Sequence, residues 1–366
     1  EAQIKWWKKL YFKGLGEFFY LNEIKATEED FVEISSIGEH EFASFSMPLE
    51  GKCIIPVGGG KDSVVTLELL KNFEGSLPLI LNPRPASMGC VMKRGFYYDT
   101  IIEVKRSIDP VLLDLNAKGF LNGHTPFSAL LAFITLLTAI LSGRKYIVLS
   151  NESSANESTV AETSVNHQYS KSVEFEGDFR RYVKAFINPD IEYFSLLRPL
   201  NELQIAYHFS KFTAYHDVFR SCNAGSKEDS WCGKCAKCLF TYIILSPFLE
   251  GERLKMIFGK DLLDDPNLVS LLDELTGISA TKPFDCVGTI DEVNAALILC
   301  MNRINQGEES SLLTHYKKSI AYQKFISSDP VSLLNRINSE HFLPPVFEDV
   351  LKSLHYEGFD QDKAGK

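Results

Sequence analysis

Residues 53–70, CIIPVGGGKDSVVTLELL, constrain this chain more than any other stretch. An apolar run of Cys53, Ile54, Ile55 and Val57 breaks into three glycines, Gly58, Gly59 and Gly60, and resumes as Ser63, Val64, Val65, Thr66, Leu67, Glu68, Leu69 and Leu70. The pattern predicts a short buried strand, a tight turn and a helix. Glycines let the backbone approach a ligand and take dihedrals closed to other residues. The start of the helix offers free N–H groups at the positive end of its dipole. With the charge of Lys61 and the hydroxyl of Ser63 alongside, this is an anion site, most simply for phosphates. A glycine-rich turn that binds nothing is the plain alternative, and the coincidence of strand, glycines, Asp-Ser and helix weighs against it.

The spacing excludes a Walker loop, G-x-x-x-x-G-K-[ST], because Asp62 follows Lys61, and no G-x-G-x-x-G fingerprint is present. GGGKDS instead resembles the SGGxDS loop of the PP-loop ATP pyrophosphatases. Those enzymes cleave ATP to AMP and pyrophosphate and activate a carboxylate, or an oxygen of a base, as an adenylate. Gly58 stands where the pattern has its first Ser, which removes one hydroxyl near the phosphates.

Apolar segments continue to alternate downstream. LPLILN (77–82), TIIEVKR (100–106) and YIVLSN (146–151) read as strands, with helices after the glycine loop, around 110–117 and over 126–142. This predicts an α/β fold, a parallel twisted sheet with helices on both faces. The PP-loop resemblance implies the same architecture, of the adenine nucleotide alpha hydrolase-like kind. Ligands of such sheets bind beyond the C-terminal strand ends, where the glycine loop, Asn82, Arg106 and Asn151 all fall. The uncharged stretch 125–142 is short for a membrane span and carries several Ser and Thr. Followed directly by a strand, it reads as a buried crossover helix, so no membrane insertion is expected. The polar stretch 152–175 reads as a long loop, often a functional feature.

Three regions are expected. Residues 1–47 form a small aromatic-rich N-terminal module of short strands and turns, EEDFVEISS among them. Residues 48–245 form the nucleotide domain with a four-cysteine site, and 246–366 a helical C-terminal region ending in a frayed tail, QDKAGK. At 366 residues, 45% hydrophobic and 23% charged, the chain is globular rather than disordered. A formal net charge of −10 argues against a nucleic-acid partner. No secretory signal opens the chain, which starts at Glu1 without Met, as a trimmed product does.

Four of the eight cysteines, Cys222, Cys232, Cys235 and Cys238, form C-x9-C-x2-C-x2-C. One such cluster with the rest scattered suggests a cytoplasmic metal protein rather than a disulfide framework. Four thiolates with no open position suit structural Zn2+; an iron–sulfur cluster is the rival, and nothing else in the chain suggests redox work. The pattern also resembles that of the PP-loop enzyme that makes the nitrile precursor of queuosine, whose zinc lies C-terminal to the pyrophosphatase core.

The match extends further. VGGGKDSVVTLELL, LNGHTPFSALLAF, LSNESSANEST, LLRPLNELQIA, SCNAG with WCGKCAKC, and KPFDCVGTIDEV together resemble the bacterial UDP-N-acetylmuramoyl-L-alanyl-L-glutamate epimerases, the MurL family, from about residue 50 to 300. The resemblance implies an ATP-dependent isomerase of peptidoglycan synthesis. It would convert UDP-MurNAc-L-Ala-L-Glu to UDP-MurNAc-L-Ala-D-Glu with release of AMP and pyrophosphate, using ATP and Mg2+, as a monomer or homodimer. Another PP-loop adenylating enzyme, acting on a nucleobase or tRNA, is the alternative. A nonenzymatic nucleotide-binding protein and a metal-stapled scaffold without nucleotide are the others.

On this reading Gly58, Gly59 and Gly60 hold the loop close to pyrophosphate, Asp62 and Ser63 contact magnesium and phosphate, and Lys61 neutralises phosphate charge. Asn82, Arg84 and Arg106 face the nucleotide, Asn151, Glu152, Asn156 and Glu157 reach phosphates and metal, and Arg180 and Arg181 approach the UDP diphosphate. An ordinary turn is the bland reading of Asn82 and Arg84, and a surface position or a charged helix face explains Arg106, Arg180 and Arg181 equally well. For the α-proton, Cys286 in PFDCVGT competes with His124, His167 and Glu152; its bland reading is a buried small hydrophobe.

Overall fold

The computed structural model describes residues 1–38, 40, 42–160, 165–225, 227–303, 310–352 and 354. Five parallel strands, β1 (Glu50–Pro56), β2 (Leu77–Leu81), β3 (Ile102–Val104), β4 (Arg144–Leu149) and β5 (Glu192–Ser195), form one sheet in the order β3-β2-β1-β4-β5. Near-continuous apolar strands of this kind are those of a sheet covered on both faces. Ile54, Leu79, Ile147, Leu149 and Tyr193 pack into one core, and Cys53, Ile55, Ile80, Val148 and Phe194 into the other.

Helices α1 (Ala2–Gly14) and α2 (Gly16–Leu21) precede the sheet. α3 (Lys61–Leu69) follows β1, α4 (Pro85–Lys93) follows β2, and α5 (Pro110–Ala117) and α6 (Phe127–Leu141) join β3 to β4. α7 (Val173–Phe186) leads into β5, α8 (Glu202–Lys211) leaves it, and α9 (Ala236–Leu245) follows the cysteines. The remaining helices are α10 (Gly251–Phe258), α11 (Val269–Thr276), α12 (Ile290–Met301), α13 (Ser311–Lys317), α14 (Ile320–Phe325) and α15 (Pro345–Lys352). α3, α4, α8, α9 and α12 contribute to the core on one face of the sheet, α1, α6 and α7 to that on the other.

The stretch 125–142 becomes α6, whose Ala129, Ala132, Thr135, Leu136 and Ala139 are buried. No helix among the described residues is long and apolar enough to cross a membrane.

The short strands expected in residues 1–47 are replaced by α1 and α2, and EEDFVEISS has no strand. Tertiary packing overrides the strand preference of the aromatics. Trp7 stacks on Phe133 of α6 at 5.1 Å, Trp6 lies 4.4 Å from Tyr182 of α7, and the Trp6 indole N–H donates to the Asp178 carbonyl at 3.1 Å. Residues 152–160 and 165–172 are irregular apart from short 3-10 turns at Ser153–Asn156 and Tyr169–Lys171 and an isolated bridge from Val160 to Thr281, and α7 starts at Val173, earlier than expected. Residues 161–164 of the expected long loop and the expected tail QDKAGK lie outside the described residues.

Candidate active site

The sheet order reverses between β1 and β4, and ligands of open α/β sheets sit in the crevice beyond such a reversal. A cavity of about 920 Å³ opens there, at the upper end of the small-molecule range. Its first wall is the glycine loop. Gly59 has φ +91°, and a Cβ on it would lie 2.6 Å from the Ser87 nitrogen of α4, so only glycine fits. Gly60 is the N-cap of α3. Ser63 Oγ accepts from the Gly59 N–H at 3.2 Å and donates to the Gly60 carbonyl at 2.9 Å, which closes the loop on itself. Gly58, Gly60, Asp62 and Ser63 line the cavity.

Lys61 does not, contrary to its expected role on phosphate. Its ammonium is buried between Asp62, at 2.5 Å, and Glu202 of α8. Burial opposes that charge, but the two carboxylates outweigh it and hold the ammonium's pKa above the usual lysine range. The helix turns this side chain into the protein, so it anchors the loop from behind.

Asn82 and Arg106 line the cavity where β2 and β3 end. Asn82, at φ +51°, donates to the Arg106 carbonyl at 2.9 Å and accepts from its N–H at 2.7 Å, clasping the two strand ends. The Arg106 guanidinium lies 5.7 Å from the centre of the Phe127 ring. Arg84, Asn151 and Glu152 line the cavity, and Asn151 also donates to Ser195 Oγ at 3.0 Å. Burial, reinforced by the charge of Asp62, raises the pKa of Glu152. Four other candidates are used elsewhere. Glu157 pairs with Lys282, Arg180 bonds the Tyr193 carbonyl and Glu192, Arg181 bonds Asp178, and Asn156 accepts from the Val173 N–H.

The second wall gathers distant residues. Cys286, between α11 and α12, lies with its Sγ 3.1 Å from Lys171 Nζ. His167 hydrogen-bonds Glu17 of α2 through Nδ1, and its charge acts on Cys286. His124 packs on the His167 ring with centroids 4.2 Å apart. All five line the cavity. Burial pushes the Cys286 thiol up, but Lys171, His167 and Lys237 outweigh it and hold it well below the usual thiol range. Burial works against the His167 charge, yet Cys286 and Glu17 raise its pKa to about 9. His124 goes the other way, lowered by burial and by His167. Sequence reasoning missed Lys171 and Glu17. A signal existed for Lys171, four residues after His167; Glu17 lies among aromatics that read as packing.

Arg198, fully buried, ties the walls together. It donates to the Glu152 carbonyl at 2.6 Å and to the Lys171 carbonyl, and pairs with Glu176 at 3.0 Å. The four clustered cysteines lie beside the first wall, with Cys222 lining the cavity. Their sulfurs stand 3.5 to 3.8 Å apart in the closest pairs, and all lie within 4.8 Å of one another. That is too far for disulfides, which need about 2.05 Å, and close to the edge of about 3.8 Å set by tetrahedral Zn–S bonds of about 2.3 Å. The donor set therefore fits a four-sulfur ion. Cys222 also accepts from the Gly225 N–H at 3.2 Å, and the neighbouring Arg220 N–H donates to the Gly59 carbonyl at 2.8 Å, joining this knot to the glycine loop.

Comparison with known proteins matches the MurL N-terminal domain to residues 1–196 and the MurL C-terminal domain to residues 218–328. The UDP-N-acetyl-alpha-D-muramoyl-L-alanyl-L-glutamate epimerase of Salinispora tropica is 40% identical over 299 residues, covering 79% of this chain and 64% of that protein. The protein of the same name from Micromonospora sp. is 38% identical over 297 residues, 79% of this chain and 66% of that one. That of Xanthomonas oryzae pv. oryzae is 33% identical over 354 residues, 92% and 76% respectively. The chain thus spans just under two thirds of the length of the first two relatives. Matched by both domain models over most of its length, the chain belongs to the MurL family.

Proposed function

We propose that this chain is a PP-loop ATP pyrophosphatase that epimerises the terminal glutamate of UDP-MurNAc-L-Ala-L-Glu, the substrate in its relatives' name. The observation that carries the reading is one cavity bounded by a glycine loop at a helix N-terminus on one side and a cysteine–lysine–histidine cluster on the other. Activation and proton transfer need such neighbours.

The chemistry explains why ATP is required. An α-proton beside a free carboxylate is very weakly acidic, because its removal builds a second negative charge. Adenylation neutralises the carboxylate and leaves an acyl group that delocalises the carbanion. A positioned base then removes the proton, and donors near the enolate stabilise it. Protonation from the other face inverts the carbon, and water releases AMP. Gly58, Gly60 and Ser63 with the start of α3 would receive the phosphates. Asp62 and Glu152 are hard oxygen donors close enough for one to raise the other's pKa, a donor set suited to Mg2+. A bound Mg2+ would neutralise phosphate charge there. Cys222, Cys232, Cys235 and Cys238 would hold structural Zn2+.

The test supplies ATP, Mg2+ and UDP-MurNAc-L-Ala-L-Glu in D2O. The expected result is AMP, pyrophosphate and D-Glu in the product with deuterium at its α-carbon. ADP instead of AMP, or ATP binding without turnover, would overturn the substrate assignment.

A further inference from the structure

We propose that Cys286 removes the α-proton as a thiolate, with Lys171 and the His167–Glu17 pair as the positioning residues that keep it in that state. This rests on the epimerase reading and assigns the step that reading leaves open. The geometry carries it. Four groups from three parts of the chain meet at one edge of the cavity: Glu17 from α2, His167 and Lys171 from the stretch before α7, and Cys286 from the loop before α12. Lys171 Nζ is directed at Cys286 Sγ at 3.1 Å, and His167, paired with Glu17, lines the same edge of the cavity as the sulfur.

Charge accounting favours the thiolate. Ammonium, imidazolium, carboxylate and thiolate sum to zero, whereas a neutral thiol would leave a partly buried cation with a weaker partner. Glu17, His124 and His167 also bring three ligand atoms within 4.8 Å of one another, as a metal site would. The ammonium of Lys171 beside them opposes a cation and suits an anionic sulfur. Other charged groups facing the sulfur are Lys237 from α9, which favours the thiolate, and the adjacent Asp285, which opposes it. Lys171 also senses Glu152 and Asp62, which places the sulfur's edge of the cavity next to the proposed nucleotide wall.

The step balances. The α C–H bond breaks, its proton forms an S–H bond on Cys286, and its electron pair enters the enolate of the acyl adenylate. A solvent proton then adds to the opposite face. The thiol returns its proton to solvent, which restores the thiolate.

Two half-reactions separate this proposal from the reading beneath it. Substrate-dependent ATP–pyrophosphate exchange reports adenylation, and deuterium wash-in at the glutamate α-carbon reports proton removal. In Cys286→Ala, wash-in should fall at least about 100-fold further than exchange, the scale of a lost general base. Equal losses would overturn the proposal, whereas absence of exchange in the unaltered protein would overturn the epimerase reading instead. An acyl group found on Cys286 by intact mass after acid quench would also overturn it, by assigning the sulfur to acyl transfer. Should Cys286→Ala not fold, alkylation of the unaltered chain by iodoacetamide, read by mass at the Cys286 peptide, decides the matter. The rate should level off below the pH of about 8.5 at which a free cysteine ionises, and its midpoint should rise by at least about one pH unit in Lys171→Met. A rate still rising through pH 8.5 would sink the thiolate, and no shift in Lys171→Met would remove Lys171 from it.

Discussion

The two walls of the cavity are built in opposite ways. The glycine-loop wall uses consecutive residues, 57–63, whose shape follows from one strand, one turn and one helix start. The facing wall draws Glu17, His124, His167, Lys171 and Cys286 from across the chain. A contiguous loop can be specified by local backbone rules, because its N–H groups point the same way whatever surrounds it. A cluster of side chains exists only when the packing that presents them is complete. The first wall should therefore fail through strain at single positions, and the second through loss of remote support.

The largest effect should come from the four-cysteine knot, which abuts the loop through Arg220. Metal analysis should find about one zinc per chain and no iron. Chelation should unfold the protein or disable both walls, since structural zinc contributes on the order of 10 kcal/mol in small metal-dependent folds. A metal-free protein of unchanged stability would break the link between knot and loop.

Lys61→Met should come next. It leaves Glu202 and Asp62 facing each other without their cation, at a cost of about 3–5 kcal/mol by urea unfolding. Adding Glu202→Gln should recover much of the loss, because it removes a charge the lysine had balanced. No recovery would mean that Lys61 acts chiefly through packing.

The smallest effects sharpen the contrast within the loop itself. Gly59→Ala places a Cβ against the α4 backbone at a positive φ, and should cost about 2–5 kcal/mol. At Gly58 an added Cβ meets nothing within 4 Å. Gly58→Ser, which restores the residue of the PP-loop pattern, should leave stability within about 0.5 kcal/mol. Comparable losses at the two positions would mean that the loop is not held by its contact with α4.

Much of the fold is legible in the chain's own pattern. β1, the glycine turn and α3 lie where the apolar run and glycines put them, and LPLILN, TIIEVKR and YIVLSN all contain strands of the sheet. Strand ends are less legible: β3 is only Ile102–Val104, and β4 stops at Leu149, leaving Arg106 and Asn151 in the loops that rim the cavity. The N-terminal aromatics mislead, because Trp and Phe favour strands on average while here Trp6 and Trp7 fill a face shared with α6 and α7 and Phe12, Phe19 and Phe31 pack on one another.

What the sequence determined by itself was whatever neighbours along the chain can satisfy: the alternation that makes a covered parallel sheet, the glycine loop, and the cysteine spacing that brings four sulfurs together. The tertiary structure alone decided that Lys61 turns inward to Glu202, that Glu17 belongs with His167, and that Lys171 meets Cys286. The physical reason is that a charge in a low-dielectric interior takes its state from whatever lies within a few ångströms of it. In this protein those partners lie more than a hundred residues away along the chain.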